Sequence, residues 1–219
     1  MLLFHKRALS PPDLVAVYHK LGAVYEALGK PDKARGAYEK ALEQTNSDPY
    51  ALEGLLRVVS DLGQPQEIVK VRQRMIQNLE DDHARSMALV ALGDDWIERF
   101  NDTGRALDTY EQALLEDANA RRALERIAKI AAEAGDWRRV SRAYFTISKL
   151  VEDPAKQAEW LIRASDIARD ELWESEKALI GYRRALEIDP TRIDAFKRMR
   201  TILTDTSDWP GLKEAHIQF

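Results

Sequence analysis

The sequence predicts an all-α fold, a right-handed α-solenoid of about six helical hairpins with about thirteen helices. One pattern returns after 34 residues: Leu21-Gly22-x2-Tyr25-x2-Leu28-Gly29-x-Pro31, then Leu55-x3-Val59-x2-Leu62-Gly63-x-Pro65. A second pattern, Ala-x3-Tyr-x2-Ala, begins at Ala34, Ala106 and Ala178. Self-similarity at a period of this size is typical of stacked helical repeats, each of which buries its apolar face against its neighbours.

Turn residues set the helix boundaries along the chain. In order, they fall at residues 10–12, 28–31, 46–49, 62–65, 101–104, 134–136, 153–154, 189–190 and 208–210. Between them, apolar residues recur with helical periodicity and predict no strand. Three glycines are expected to end helices at positive φ: Gly29, Gly63 and Gly135. Pro31 and Pro65 suit the first turn of the next helix. Four aspartates are predicted N-caps: Asp48, Asp102, Asp136 and Asp208.

These patterns resemble the tetratricopeptide repeat (TPR) family, whose pattern is W-x2-L-G-x2-Y, then A-x3-F, then P. Residues 15–48 match it with Tyr18-x2-Leu21-Gly22-x2-Tyr25, Ala34-x3-Tyr38 and Ala41. The third copy has Leu89-x2-Leu92-Gly93-x2-Trp96, Ala106, Tyr110 and Ala113, and the fifth has Ala178, Tyr182, Ala185 and Asp189-Pro190. Copies two, four and six depart from it, with Ile68, Val140 and Leu212 at the small position and Arg72, Tyr144 and His216 at the aromatic one.

The predicted organisation is a single TPR-like array over residues 1–219. Residues 1–10 are expected to form the second helix of a preceding hairpin. The successive repeats are 13–48, 49–83, 84–118, 119–153, 154–190 and 191–219, of which the last is incomplete. Alternating spacings, and the recurrence of Asp136-Trp137 as Asp208-Trp209, favour three two-hairpin units over six independently drifted repeats.

Composition excludes several classes of function. A net charge of −4 argues against nucleic acid or an anionic membrane as the main partner. The chain has no cysteine for disulfides, thiolate metal sites or nucleophilic catalysis. No apolar run approaches the roughly 20 residues that span a bilayer, and the N-terminal residues do not read as a secretory signal. We therefore expect a cytoplasmic protein.

No residues suggest an enzyme, and the sequence predicts no catalytic, cofactor or metal site. The four histidines are scattered without a partner at i+4 that would indicate zinc. Asp81-Asp82-His83 is better explained as an acidic helix start than as a metal loop. Gly22, Gly54 and Gly93 are expected to permit close helix packing. Tyr38, Tyr110 and Tyr182 are expected to be buried beside Ala34, Ala106 and Ala178.

The family resemblance implies a concave binding face on the first helices of the hairpins, one helical face at i, i+3, i+7 and i+10. The candidate partner-binding residues on it are Tyr50, Arg57, Met87, Val90, Asp94, Ile97, Arg122 and Lys129. Met87, Val90 and Ile97 would form an apolar strip on this face, unless their helix is rotated and buries them. His19 and Ala23 stand where chaperone-binding members have the Lys and Asn that grip a C-terminal carboxylate, so that activity is not expected.

The resemblance thus implies a non-catalytic scaffold that holds a protein or peptide on its concave face. An amphipathic or acidic peptide segment is the expected partner. The alternative is a spacer or oligomerisation region of a larger multidomain protein. The terminal helices show no polar capping face, and end-to-end self-association is therefore a further expectation.

Overall fold

The computed structural model describes residues 10–218, which form twelve α-helices and no β-strand. The helices are α1 (Pro11–Ala27), α2 (Pro31–Gln44), α3 (Pro49–Asp61), α4 (Pro65–Gln77), α5 (Asp82–Phe100), α6 (Thr103–Glu116), α7 (Arg121–Glu133), α8 (Trp137–Leu150), α9 (Pro154–Asp170), α10 (Ser175–Ile188), α11 (Ile193–Asp205) and α12 (Trp209–Gln218). The all-α class is confirmed. The thirteenth predicted helix falls in residues 1–9, outside the described residues, and Ser10 is the N-cap of α1.

The predicted helix ends are confirmed by the backbone. Gly29, Gly63 and Gly135 have φ of +62°, +63° and +72°, a left-handed conformation that suits glycine. Pro31 and Pro65 open α2 and α4. Each predicted aspartate N-cap accepts a hydrogen bond from the backbone N–H three residues later: Asp48, Asp102, Asp136 and Asp208. Asp81 does the same for α5, as its acidic helix start suggested.

The chain divides into two compact units, the first ending at Ala106 and the second beginning at Leu107. In unit 1, helices α1 to α5 pack in sequence, and α1 also contacts α3. In unit 2, helices α7 to α12 pack in sequence. Within each unit the helices therefore stack as consecutive hairpins, and the predicted single array over residues 1–219 stays a prediction.

The core of unit 1 is organised around the ring of Tyr38, which is 0% exposed. This ring lies between two glycines, Gly22 of α1 and Gly54 of α3. A Cβ added to Gly22 would lie 2.5 Å from Tyr38 Cε1, and one added to Gly54 would lie 2.6 Å from Cε2. The packing role predicted for these two glycines is thereby confirmed. The predicted burial of the repeat residues is also confirmed, for Tyr38, Tyr110 and Tyr182 and for Ala34, Ala106 and Ala178.

The even-numbered repeats fill the aromatic position in different ways. Arg72 of α4 donates a hydrogen bond to Asp95 of α5, whose other carboxylate oxygen accepts from Arg99 Nε at 2.8 Å. Asp95 is only 4% exposed, so this is a buried ion pair. In unit 2, the ring of Tyr144 lies 5.1 Å from that of Trp160, and His216 stands edge-on to Phe196. Each departure at the aromatic position thus has its own partner.

Candidate partner-binding surface

Helices α1, α2 and α3 bring five polar and aromatic side chains together, which we call the unit 1 cluster: His19, Glu26, Tyr38, Tyr50 and Arg57. Tyr50 of α3 is 46% exposed. Its ring centroid lies 4.5 Å from that of His19 of α1 and 6.3 Å from that of Tyr38. His19 Nε2 lies 2.7 Å from Asp48 Oδ1, and Asp48 also caps α3. The residue that starts α3 therefore also fixes the ring that supports Tyr50.

Glu26 forms the charged end of the unit 1 cluster. It accepts a hydrogen bond from Tyr38 Oη at 2.5 Å and from Arg57 Nε and Nη2 at 3.2 and 3.3 Å. Burial raises the pKa of Glu26, but the hydrogen bonds from Arg57 and Tyr38 more than offset it and leave the pKa below its ordinary value. Burial and the bond to Glu26 raise the pKa of Tyr38. Glu26 is thus held as a carboxylate and Tyr38 as a neutral phenol.

A similar set of contacts recurs in unit 2, although its carboxylate and arginine stand at other distances along the sequence from the tyrosine. Tyr182 Oη donates to Asp166 Oδ1 at 2.6 Å, and Arg198 Nε lies 3.1 Å from the same oxygen. The repeat position that Tyr50 occupies in α3 is taken by Asp194 in α11. Asp194 accepts hydrogen bonds from Arg192 and Arg198, and the bonds from Arg192 lower its pKa despite partial burial. At this position, unit 2 therefore has ion pairs between Asp194 and two arginines, whereas unit 1 exposes the aromatic ring of Tyr50.

The prediction that Val90 belongs to an exposed apolar strip on α5 is wrong. Met87 is 52% exposed, but Val90 is only 5% exposed and belongs to the core. The buried positions of α5 include Ser86, Leu89, Val90 and Gly93, spaced i, i+3, i+4 and i+7. This spacing turns Val90 inward, as the rotated-helix alternative expected. Asp94 and Ile97 are partly buried.

Of the other predicted residues, Tyr50 and Arg57 meet in the unit 1 cluster through Tyr38 and Glu26. Arg122 and Lys129 are exposed on α7 of unit 2. Their role in partner binding stays a prediction.

The sequence of unit 1 matches a known family. The family model described as tetratricopeptide repeat covers residues 15–58, which run from α1 into α3. This segment therefore matches the tetratricopeptide repeat. The matched segment contains every member of the unit 1 cluster. A comparison with curated protein sequences gives no match.

Several solved structures resemble the chain at low sequence identity. The MamA protein is 16% identical with a TM-score of 0.50, over 84% of this chain and 96% of that one. YrrB, described as a TPR protein with an unusual peptide-binding site, is 19% identical with a TM-score of 0.46, over 83% and 89%. The TPR2AB domain of yeast Sti1, in complex with pHSP90, is 16% identical with a TM-score of 0.38, over 93% and 88%. At these identities the likeness concerns the fold alone.

Two contacts of the unit 1 cluster were not expected from the sequence. Tyr38 was predicted only as a core residue, yet its hydroxyl joins α2 to Glu26 of α1. Asp48 was predicted only as an N-cap, yet it also holds His19. No common spacing signals the first contact, because the carboxylate precedes the repeat tyrosine by 12 residues in Glu26–Tyr38 and by 16 in Asp166–Tyr182.

Residues 10–218 can also be searched for metal-binding groups and for membrane-spanning helices. In this range, no group of three or more His, Asp or Glu side chains is placed to hold a metal ion. No helix in the same range is both long and apolar enough to cross a membrane. The cytoplasmic location stays a prediction.

Proposed function

We propose that the chain is a non-catalytic scaffold that binds a protein or peptide on the first-helix face of unit 1. The observation that carries this proposal is the exposed ring of Tyr50, supported by His19 and Tyr38. Exposed aromatic side chains that are already ordered lose little conformational entropy on binding, and tyrosine is enriched among the residues that dominate binding energy. Tyr50 would therefore anchor the partner.

The polar groups beside Tyr50 suggest the chemistry of the partner. Arg57 is held by Glu26, yet about half of its side chain is exposed and can meet a carboxylate of the partner. An apolar side chain against Tyr50 with an acidic residue beside it fits this pair. Arg57, the cation of the unit 1 cluster, is already paired with Glu26, which favours a peptide over a phosphate chain.

The same groups favour a binding role over a catalytic one. Arg57 and Tyr38 hold Glu26 ionised with a lowered pKa. A general acid or base near neutral pH needs a carboxyl pKa that is shifted in the opposite direction. The ion pair in the unit 1 cluster is thus better suited to ordering a surface than to transferring a proton.

Selection of peptides from a phage-displayed random library tests the proposal. Synthetic versions of the enriched peptides would be titrated against the protein by fluorescence anisotropy. Tyr50→Ala should weaken binding about tenfold or more, the effect of losing an aromatic anchor. His19→Ala should weaken it less, because the ring of Tyr50 remains. The matched control is Leu115→Ala, which truncates a side chain of unit 2 that is 85% exposed.

The proposal fails if Tyr50→Ala and Leu115→Ala bind the selected peptides equally, with both variants retaining the helical circular dichroism spectrum. It also fails if the library yields no peptide that depends on Tyr50.

One observation favours the alternative, a region for self-association. Helix α1 and its C-cap residue expose four apolar side chains spaced by four, three and four residues: Val17, Leu21, Val24 and Leu28. This heptad spacing is the one by which two helices pack against each other. On this alternative, α1 of one copy contacts α1 of another. Sedimentation equilibrium should then show a dimer that the Leu21→Glu/Val24→Glu variant abolishes, and a wild-type monomer at about 100 μM would exclude it.

A further inference from the structure

Unit 2 contains an open groove with a volume of about 430 Å³ that none of the repeat positions predicted. Its floor is α9, and its walls are α8 and α10. Each wall contributes residues at helical spacing, Arg138, Arg142 and Phe145 from α8 and Lys177, Ile180 and Arg184 from α10. A stretch of seven residues corresponds to about 10 Å along a helix, so the groove runs for about two turns.

Small residues keep the floor of the groove clear. Ala164 and Ala168 lie on the floor, and Ser165 turns its hydroxyl inward to the carbonyl of Leu161 at 2.7 Å. Gly181 lets α10 approach α9 at this point, because a Cβ there would overlap the Ser165 hydroxyl and lie 3.2 Å from its Cβ. The groove is thus a fixed feature of helix packing, and no side chain has to move to open it.

The charges around the groove are unbalanced. Among residues 10–218, Arg138, Arg142 and Arg184 form no ion pair, although all three line the groove. Lys177 is the one lining cation that has a carboxylate, Glu174 at 2.9 Å. Several other arginines of unit 2 do lie against acidic side chains, as Arg163 does against Glu159 and Arg169 against Asp170. In a chain with a net charge of −4, three such arginines at one groove form a local positive field.

Exposed apolar side chains accompany these arginines. Phe145 is 40% exposed and Ile180 is 69% exposed, one on each wall. Trp173 is 85% exposed, on the turn between Leu172 and Glu174, which both line the groove. An apolar surface ringed by charge is typical of a site that binds another protein.

We propose that this groove binds an amphipathic helical segment of another protein, with apolar side chains on the floor and carboxylates facing Arg138, Arg142 and Arg184. The length of the groove matches two turns of a helix, whose apolar side chains at i, i+3 and i+4 would reach the floor. The arginines would form charge-assisted hydrogen bonds with the carboxylates. A phosphate chain fits poorly, because it would offer no apolar contact to Phe145, Ile180 and the alanines of the floor. This site lies on other helices than the Tyr50 face and does not depend on it.

A second arm of the phage-displayed peptide selection tests the groove, using wild-type protein and the Arg142→Glu and Arg184→Glu variants as targets. The expected peptides carry apolar residues at i, i+3 or i+4 with at least two Asp or Glu residues. In anisotropy titrations, each variant should weaken binding of these peptides about tenfold or more. Affinity for wild-type protein should fall as sodium chloride rises, because salt screens exposed charges.

Arg200→Glu is the matched control, since it makes the same charge change at an exposed position of α11 outside the groove. It should change the affinity less than twofold. Tyr50→Ala should also leave this binding unchanged, which separates the groove from the face of unit 1. Circular dichroism would check that all variants keep the wild-type helix content.

The inference is overturned if no enriched peptide depends on Arg142 or Arg184, or if the dependent peptides lack carboxylates. Equal competition by inorganic phosphate and by an acidic peptide would also overturn it, because it would indicate a general anion site. Loss of binding in Arg200→Glu to the same extent would show that net charge, and not the groove, governs the affinity.

Discussion

Replacing Gly54 with alanine should destabilise the protein even though alanine is the better helix former. Gly54 faces the ring of Tyr38, and a Cβ at this position would lie 2.6 and 2.7 Å from ring atoms Cε2 and Cε1. The ring cannot move aside, because Gly22 lies against its other face at a similar distance. The hydroxyl is also tied to Glu26. The new methyl group must therefore push α3 away from α2.

The expected size follows from two opposing effects. Overpacking of a tight core by a methyl group costs about 1–3 kcal/mol, and the close approach on both faces of the ring places this site at the upper end. The helix preference of alanine over glycine returns about 1 kcal/mol. The net effect should be a loss of about 1–2 kcal/mol in the free energy of unfolding.

Gly36→Ala supplies a control of opposite sign. Gly36 lies within α2, and a Cβ there would have no heavy atom within 4 Å. This substitution should therefore stabilise the protein by about 0.5–1 kcal/mol. Urea denaturation followed by circular dichroism at 222 nm measures both variants. If Gly54→Ala proves as stable as Gly36→Ala, the Tyr38 ring does not set the spacing of these hairpins.

Three other changes test further parts of the structure by the same urea assay. Arg72→Leu leaves the buried carboxylate of Asp95 with Arg99 alone and should cost about 3 kcal/mol, whereas a second change, Asp95→Leu, should recover part of that loss. Glu26→Gln should be destabilising near pH 7. Because the folded pKa of Glu26 is lowered, its stabilisation is present above the ordinary pKa of 4.5 and is lost as pH falls through the folded pKa. The difference from wild type should therefore shrink below about pH 4, and a difference that is constant from pH 3 to 7 would contradict this sign. Ala106→Leu, at a 0% exposed position, should cost about 1–3 kcal/mol, and unchanged stability would refute the assigned repeat register.

Features governed by local chemistry could be predicted from the sequence. Gly29 and Gly63 need positive φ, and Asp48 caps the helix that follows it, whatever the neighbouring hairpins do. The repeat tyrosine could be placed in the core because a small alanine precedes it by one helical turn. Each of these features is determined by residues that lie within a few positions of it in the sequence.

Features governed by neighbouring helices could not be predicted in this way. In the sequence, Val90 follows Met87 by three residues, the spacing expected of the concave face. The rotation of α5 against its neighbours nevertheless buries it. The positive charge of the groove in unit 2 depends on which arginines pair with a carboxylate. Arg138 and Arg139 are adjacent in sequence, yet Arg139 pairs with Glu111 while Arg138 lines the groove. Pairing of this kind is decided by the packing of helices that are distant in sequence.

The two units have different residues at one repeat position, Tyr50 in α3 and Asp194 in α11, and this difference bears on our proposal for function. Both units join a core tyrosine to a carboxylate on one first helix and to an arginine on the next, Tyr38–Glu26–Arg57 and Tyr182–Asp166–Arg198. At the start of that next helix, unit 1 has Tyr50 and unit 2 has Asp194. An aspartate there recruits Arg192 and Arg198, so the charges are satisfied within the unit. A tyrosine there leaves an apolar ring facing solvent. Similar tyrosine–carboxylate–arginine contacts thus lie beneath two different surfaces, and the exposed ring of Tyr50 is the feature of unit 1 to which we assign partner binding.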